Sequence, residues 1–272
     1  MGGDEIGAAL KVLILGGTRE ARQLAGLATG ERGFDVVSSL AGRVARPVLP
    51  AGAVRVGGFG GVRGLRDWLA DNGIEVIVDA THPFAATISA HAAQAARMTG
   101  VPILQLRRPG WPQQPDDHWL RVPDMAAAAA AAAGFERVFL TIGRQHVGEF
   151  ADLDETWFLI RAIDPPTGPV PPQHLLLLAR GPFTVEQEIA LLREHRIDAL
   201  LTKDSGGDLT EAKMTAARHE GIPVIVVDRP PLPAGADHTD TVAGAWDWLC
   251  ARSGRDRIPA ETDGPVVGLE GI

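Results

Sequence analysis

The sequence is poor in the features that mark disulfide-rich, membrane-spanning and nucleic-acid-binding proteins. It has one cysteine, Cys250, which excludes an internal disulfide and a cluster of thiolate metal ligands. No apolar run reaches the length of a bilayer-spanning helix. Acidic residues outnumber basic ones, 34 to 26, and the net charge is -8, whereas a general nucleic-acid-binding surface is basic. The composition, 45% hydrophobic and 22% charged, is that of a globular protein that can still hold a local cationic cleft.

The two ends of the sequence carry no sign of export or of a metal site. Residues 1–5 are acidic and no apolar run follows at once, so we expect no signal peptide and a cytoplasmic location. Residues 253–272 are polar and glycine-rich without periodicity, which predicts a flexible tail. The histidines are scattered and none has metal-ligand spacing, so we predict no metal.

Short apolar runs alternate with helical patterns, as is typical of a parallel sheet covered on both faces. The runs in the first part are residues 10–15, 34–39, 53–56, 75–79 and 101–105. Those in the second part are residues 137–141, 156–160, 174–179, 198–202 and 222–227. Between the parts, residues 107–117 are rich in proline, glycine and charge, which indicates a domain boundary. The sequence therefore predicts an α/β protein with two doubly wound, Rossmann-like parallel-sheet domains, residues 1–110 and 111–252, that face a central cleft.

Ligands of such sheets bind at the carboxyl ends of the strands, and the first strand runs into the segment LGGTRE. Glycine lets the backbone approach a phosphate, and the N–H groups at the start of the next helix face the anion. Thr18 either caps this helix or donates to the phosphate. The segment is not a full G-x-G-x-x-G fingerprint, because Ala21 and Arg22 stand where further glycines are expected. A tight turn with a capped helix is the alternative.

The segment SSLAGR follows the second strand, which meets the adenosine ribose in dinucleotide folds. An acidic residue there suits a free 2′-hydroxyl, whereas arginine or serine suits a 2′-phosphate. This segment has no acidic residue but contains Ser38, Ser39 and Arg43. It therefore favours NADP over NAD. The alternatives for Arg43 are a solvated loop residue or a substrate-binding residue.

Two further strand ends of the first half carry groups that suit a flat ligand. In VGGFGG, four glycines let a backbone lie close to the ligand with Phe59 as a wall, although Phe59 filling the core is the alternative. In DATHPFA, Thr81 and His82 can form hydrogen bonds and Pro83 starts the next helix. The alternative for His82 is a helix cap or a buried structural histidine.

The second half also has polar segments after its strands, TIGRQ and LTKDSGG. Lys203, Asp204 and Ser205 precede two glycines and form a nest that can hold an anion. Three arginines lie at or near strand ends: Arg144, Arg161 and Arg180. Each alone is more often a surface charge. Together with the lysine they predict a substrate with several carboxylates.

These motifs, in this order and spacing, resemble those of the precorrin-6A reductase family of cobalamin biosynthesis. The resemblance runs from ILGGTREAR through SSLAGR, VGGFGG, DATHPFA and TIGRQ to LTKDSGG, and covers residues 10–249. It implies a two-domain α/β enzyme that uses NADPH to reduce one double bond of the precorrin-6A macrocycle, giving precorrin-6B. The family also includes enzymes that act on the cobalt-loaded macrocycle.

The resemblance also implies which residues form the site. It places the NADP pocket at Gly16, Gly17, Thr18 and Glu20, residues 82–85 near the nicotinamide, and residues 203–206 against the macrocycle. With the motif reasoning added, the predicted cofactor contacts are Gly16, Gly17, Thr18, Glu20, Ser39, Arg43, Gly58, Phe59, Thr81, His82 and Pro83. The predicted substrate contacts are Arg144, Arg161, Arg180, Lys203, Ser205 and Gly206.

The predicted reaction needs a hydride on one carbon and a proton on its neighbour. Lys203, Asp204 and His82 are the candidate catalytic residues for the proton, with bulk water as a fourth source. Phe59 and Phe84 can pack against flat rings. The expected partner is precorrin-6A, bound by a monomer or a homodimer. Two other classes compete: a bilobed tetrapyrrole synthase or transferase without redox chemistry, and a non-catalytic two-lobed binding protein.

Overall fold

The computed structural model describes residues 9–42 and 48–254, which fold into two six-stranded parallel sheets with helices on their faces. The strands are β1 (Leu10–Leu15), β2 (Phe34–Leu40), β3 (Ala53–Val56), β4 (Val76–Asp79), β5 (Ile103–Leu106), β6 (Trp119–Val122), β7 (Arg137–Leu140), β8 (Trp157–Ala162), β9 (His174–Leu178), β10 (Ala199–Lys203), β11 (Val224–Val227) and β12 (Asp237–Thr239). The helices are α1 (Arg19–Gly30), α2 (Gly61–Asp71), α3 (Ala86–Thr99), α4 (Met125–Ala132), α5 (Val185–Glu194), α6 (Ala212–Glu220) and α7 (Val242–Arg252). None of these helices is long and apolar enough to cross a membrane.

The first sheet has the strand order β12-β5-β4-β1-β2-β3, and all its pairs are parallel. Helices α1 and α7 cover one face, where Leu24 and Leu249 are fully buried. Helices α2 and α3 cover the other face through residues such as Leu65 and Ala92. The order reverses between β1 and β4, and ligands of doubly wound sheets bind at such a switch point.

The second sheet repeats this pattern with the order β6-β11-β10-β7-β8-β9. Its switch point lies between β7 and β10. Helix α4 packs on one face, where its alanines Ala128 and Ala132 are fully buried against the strands. Helices α5 and α6 cover the other face with residues such as Leu192 and Met214. The prediction of two doubly wound parallel sheets is confirmed.

The sixth strand of each sheet comes from an unexpected part of the chain. β6 follows β5 in the sequence but pairs with β11, and β12 follows β11 but pairs with β5. Helix α7 then returns to the first sheet. The predicted second domain, residues 111–252, is therefore corrected, because it includes a strand and a helix of the first sheet. The swap escaped prediction because β6 and β12 are short, partly exposed edge strands without an apolar run.

One predicted helix begins later than expected. The helix that Pro83 was predicted to start begins at Ala86, because residues 81–85 form a loop in which the Ala85 N–H donates to the carbonyl of His82 at 2.7 Å. Pro83 therefore lies in this loop and does not begin the helix. After β10, a 3₁₀ turn, Asp208–Thr210, precedes α6.

Candidate active site

The loop between β1 and α1 leaves open space in front of the helix. Gly17 has φ of +114°, and beyond its chain neighbours no atom of the described residues lies within 4 Å of the position that a Cβ would take there. The side chain of Thr18 accepts a hydrogen bond from Ala21 N at 3.1 Å and donates one to Ala80 O at 2.8 Å. Of the two roles considered for Thr18, it therefore caps α1, and it also ties this loop to the end of β4. The start of α1 stays available to an anion.

Glu20, in the first turn of α1, contacts the other half of the molecule. Its Oε2 accepts a hydrogen bond of 2.9 Å from Arg108 Nη1, and the two side chains are 19% and 16% exposed. The same guanidinium donates from Nε to the carbonyl of Ser205 at 2.8 Å. One arginine thus joins the glycine loop of the first sheet to the lysine loop of the second. The predicted contact of Glu20 with a dinucleotide remains a prediction.

The end of β2 is occupied by an arginine that the sequence did not single out. Ser39 Oγ accepts a hydrogen bond of 2.8 Å from Arg55 Nη1, and Ser39 and Arg55 are register partners in β2 and β3. The Arg55 guanidinium lies 3.7 Å from the centroid of the Phe59 ring, which packs edge-on against Trp68. One face of Phe59 is therefore taken by Arg55 and is not a free wall for a flat ligand. Arg43, the residue predicted for this place, lies outside the described residues.

A buried polar network closes the end of β4. Asp79 Oδ1 accepts hydrogen bonds from Thr81 N and Thr81 Oγ1, at 3.1 and 2.7 Å, and Oδ2 accepts one from Gln105 Nε2 at 3.1 Å. Beside this network is a cavity of about 250 Å³, whose lining includes His82, Pro83 and Arg107. It adjoins a shallower depression of about 450 Å³ along α3. The predicted contacts Thr81, His82 and Pro83 are thus brought together at one cavity.

His82 faces a cluster of positive charges. Its pKa is lowered to about 3 by desolvation in the crevice first, and then by the charges of Arg108, Lys203, Arg229 and Lys213. The residue is exposed to solvent, so these charges act on a ring at the mouth of the crevice. The neutral ring accepts a hydrogen bond from Phe84 N through Nδ1 at 3.2 Å.

Phe84 links this loop to the second sheet. Its ring packs against the core that α4 covers, and Lys203 Nζ lies 5.5 Å from the ring centroid. The ends of β4 and β10 therefore meet across the interface. The predicted residues His82 and Lys203 face the same crevice.

Asp204 organises the junction between the halves. Its carboxylate accepts hydrogen bonds from Trp111 N at 3.3 Å and Arg121 Nη2 at 3.0 Å. Its carbonyl accepts one from Arg229 Nε at 2.6 Å, and Arg229 also donates to the carbonyls of Arg108 and Pro109. These bonds show that Asp204 positions the loop at the junction. Its predicted role as a proton donor remains a prediction.

Gly206, two residues after Asp204, is packed against the segment that precedes β6. Gly206 has φ of +62°, and a Cβ there would overlap the carbonyl oxygen of Pro109. This packing fixes the backbone of the loop, and the predicted contact of Gly206 with the substrate remains a prediction. The carbonyl of Ser205 is the acceptor of Arg108, so Ser205 also contributes to the junction.

Arg161 is likewise held inside the second half. Its guanidinium forms two hydrogen bonds with the carboxylate of Glu188, at 3.0 and 2.7 Å, and lies 4.0 Å from the Phe183 ring centroid. The two side chains are only 10% and 3% exposed. Arg161 is therefore a structural residue beneath α5, which corrects its prediction as a substrate contact. Arg144 and Arg180, after β7 and β9, remain predictions.

The residues that sequence reasoning missed are mostly arginines in the two segments where the chain passes from one sheet to the other. Arg107, Arg108 and Arg229 lie around Asp204 and Ser205. The signal for Arg107 and Arg108 was the RRPG segment directly after β5. Lys213 was also missed. It is buried in α6 with Nζ donating to Thr210 O at 2.6 Å, and desolvation, followed by the charge of Arg161, lowers its pKa to about 7 although Glu188 acts to raise it.

Comparison with known proteins agrees with this architecture. The family model described as precorrin-6x reductase CbiJ/CobK matches residues 11–250. The chain belongs to the precorrin-6x reductase family. A precorrin-6A reductase from Rhodococcus erythropolis is 55% identical over 240 residues, which is 88% of this chain and 97% of that protein. The family resemblance inferred from the motifs is confirmed.

Two further relatives are similar to this chain at lower identity. A cobalt-precorrin-6A reductase from Methanothermobacter thermautotrophicus is 32% identical over 238 residues, 81% of this chain and 77% of that protein. The solved structure of a CobK precorrin-6A reductase superposes with a TM-score of 0.83 at 45% identity, covering 90% of this chain and 98% of that chain. Family membership confirms the predicted class of enzyme, an oxidoreductase of cobalamin biosynthesis. Such an enzyme needs a reductant.

Proposed function

We propose that this protein uses NADPH to reduce one double bond of metal-free precorrin-6A, giving precorrin-6B. The observation that carries the proposal is the pair of hydrogen bonds made by Arg108. One goes to Glu20 in the first turn of α1, next to the glycine loop, and the other to Ser205 in the loop after Lys203. A dinucleotide at the first loop and a macrocycle at the second would therefore be adjacent. The chain is 55% identical to a precorrin-6A reductase and 32% identical to a cobalt-precorrin-6A reductase, which supports the metal-free substrate.

The residues at the first switch point fit a dinucleotide. The open space at Gly17 and the capped start of α1 suit the diphosphate, because backbone N–H groups and the helix dipole favour an anion there. NADPH, when bound, supplies the hydride. The end of β4, with the cavity beside Thr81 and His82, lies on the nicotinamide side of the switch point. We assign these residues to orienting the nicotinamide over the cleft.

The cations at the junction suit the acidic side chains of the macrocycle. Three basic residues lie at the crevice: Arg107, Lys203 and Arg229. The crevice is therefore locally positive in a protein whose net charge is -8. Desolvation lowers the pKa of Arg107, and no described residue accepts a hydrogen bond from its side chain, although Asp204 lies near enough to oppose this shift. We assign the cluster to the carboxylates of the substrate. Carboxylates form their strongest hydrogen bonds with such charged donors.

The proton that accompanies the hydride needs a donor in the crevice. His82 is neutral at physiological pH because its pKa is about 3, and Asp204 is held by Arg121 and Trp111. We therefore propose the ammonium group of Lys203 as the donor, which water then reprotonates, with direct donation from water as the alternative. Lys203→Arg should keep the substrate KM and lower kcat, whereas Lys203→Met should raise KM as well. An unchanged kcat in Lys203→Arg would assign the proton to water.

The test of the function is an anaerobic assay with purified protein, NADPH and precorrin-6A. We expect macrocycle-dependent loss of NADPH absorbance and a product heavier by two hydrogens, with slower turnover of the cobalt-loaded macrocycle. No macrocycle-dependent oxidation of either NADPH or NADH would overturn the proposal and would revive a non-redox synthase or a binding protein. A cytoplasmic location and a monomeric or dimeric state stay predictions.

A further inference from the structure

Ser39 stands where dinucleotide folds carry the carboxylate that binds the adenosine ribose. That carboxylate follows the glycine loop by about 20 residues, at the end of the second strand. Ser39 is the last residue but one of β2, and its carbonyl accepts a hydrogen bond of 2.9 Å from Gly16 N. It therefore lies beside the glycine loop, with a hydroxyl where a carboxylate would bind a free 2′-hydroxyl.

Arg55 brings a positive charge to this place. Its guanidinium donates to Ser39 Oγ at 2.8 Å, to the carbonyl of Gly57 at 3.1 Å and to that of Gly58 at 3.1 Å. The acceptors are one hydroxyl and two carbonyls, none of which neutralises the charge. An arginine has five N–H donors, and these bonds use two on Nη1 and one on Nη2. Among the described residues, the Nε donor and one Nη2 donor have no acceptor.

The surroundings fix this guanidinium in position. The Phe59 ring lies 3.7 Å below it and the Trp68 ring 5.5 Å away, so the side chain is held between an aromatic face and the backbone of the VGGFGG loop. Desolvation lowers the pKa of Arg55. A preorganised, partly dehydrated guanidinium loses little conformational entropy or hydration when it binds an oxyanion.

We propose that Arg55 and Ser39 form the binding site for the 2′-phosphate of the dinucleotide, and that Arg55 makes the enzyme selective for NADPH over NADH. The inference rests on the proposed function and assigns its cofactor selectivity to a residue. The phosphate accepts charge-assisted hydrogen bonds from the two unused N–H groups and one from the serine hydroxyl. A free 2′-hydroxyl would leave the guanidinium without an anion.

The test uses two nucleotide fragments, so that no macrocycle is needed. Adenosine 2′,5′-bisphosphate carries the 2′-phosphate and AMP lacks it, and isothermal titration gives the Kd of each. In Arg55→Gln we expect the Kd of the bisphosphate to rise about tenfold or more, since a hydrogen bond to a charged group is lost, while that of AMP changes little. Arg66→Gln is the matched control, because Arg66 is an exposed arginine on α2 paired with its neighbour Asp67.

A second variant keeps the test valid if Arg55→Gln does not fold. Ser39→Asp places a carboxylate against Arg55, so the preference for the bisphosphate should fall and that for AMP should rise. Equal weakening of both fragments in Arg55→Gln would show that Arg55 only orders the loop, and would overturn the assignment. An unchanged ratio of the two Kd values in both variants would overturn it as well.

The outcome separates this inference from the proposed function. If the wild type oxidises neither NADPH nor NADH with precorrin-6A, the proposed function fails. If the wild type prefers NADPH and Arg55→Gln keeps the full preference, only the role of Arg55 fails. If the wild type oxidises both dinucleotides equally well, the reductase stands and the selectivity inference is overturned.

Discussion

Arg108 donates a 2.9 Å hydrogen bond to the carboxylate of Glu20. A residue that follows β5 therefore holds the first turn of α1. The same side chain reaches the carbonyl of Ser205 in the second half at 2.8 Å. The two loops proposed to bind the dinucleotide and the macrocycle are therefore fixed relative to each other by one guanidinium.

Replacing this guanidinium should loosen both loops. In Arg108→Gln we expect the KM of the macrocycle to rise about tenfold, because hydrogen bonds to charged groups contribute about 1.5–3 kcal/mol each, and the melting temperature to fall. Steady-state kinetics and thermal unfolding measure the two effects. Arg193→Gln, in which an exposed arginine loses its pair with Glu220, should change neither. A wild-type KM in Arg108→Gln would show that the bridge does not position the substrate loop.

The pair of Arg161 and Glu188 should matter for stability and not for substrate. Glu188→Leu leaves a buried guanidinium without its partner, which costs about 3–5 kcal/mol. The double variant Arg161→Met with Glu188→Leu should recover most of this loss, because no buried charge is left. Urea unfolding gives the free energies. A rise in the macrocycle KM in the double variant, at wild-type stability, would return Arg161 to the substrate site.

His82 should make the protein less stable in acid. Its folded-state pKa of about 3 lies below the ordinary 6.5, so between these two values the unfolded chain binds a proton that the folded chain does not. The free energy of unfolding therefore falls as pH drops from 6.5 toward 3, and above 6.5 the residue has no effect. His82→Asn should reduce the slope of stability against pH in this window, measured by urea unfolding at several pH values. A slope equal to that of the wild type would place His82 away from the cations.

The same charge state predicts the effect of His82 on catalysis. Since a neutral ring is not the proton donor, the pH dependence of kcat should keep its shape in His82→Gln. Loss of a single ionisation from that profile would reinstate His82 as the acid.

Gly206 and Gly100 form a matched pair of glycine positions. Both have positive φ, +62° and +73°, but a Cβ at Gly206 would overlap Pro109 O, whereas one at Gly100 would have no atom of the described residues within 4 Å beyond its chain neighbours. Gly100→Ala should cost about 1–2 kcal/mol for the left-handed backbone alone. Gly206→Ala should cost more, because Arg108–Pro109 must also move. Equal losses in denaturant unfolding would mean that the Pro109 contact is not tight.

The central strands were predictable because residues buried on both faces leave continuous apolar runs, as in β1 and β10. The edge strands β6 and β12 were not predictable, since each forms only by pairing with a strand that is distant in the sequence. The motif glycines located the first loop correctly. Arg55 was missed because its contact with Ser39 depends on the register between β2 and β3. A local sequence pattern does not predict that register.

The error over Arg161 has a different physical cause. It lies near the carboxyl end of β8, as predicted, but side chains alternate between the two faces of a strand. Arg161 shares the face of Leu159, which α5 and α6 cover. Position along a strand therefore predicted the edge of the sheet but not the direction of the side chain.

The exchange of edge strands also sets the order in which the ribosome can complete the two sheets. Every strand of the second sheet lies within residues 119–227, whereas the first sheet waits for residues 237–239 and for the helix that follows them. During synthesis the later half can close while the earlier half still lacks its border. A nascent chain cut short before residue 237 would carry a complete second sheet beside an incomplete first sheet, whose β5 edge would be exposed to pairing with a strand of another chain.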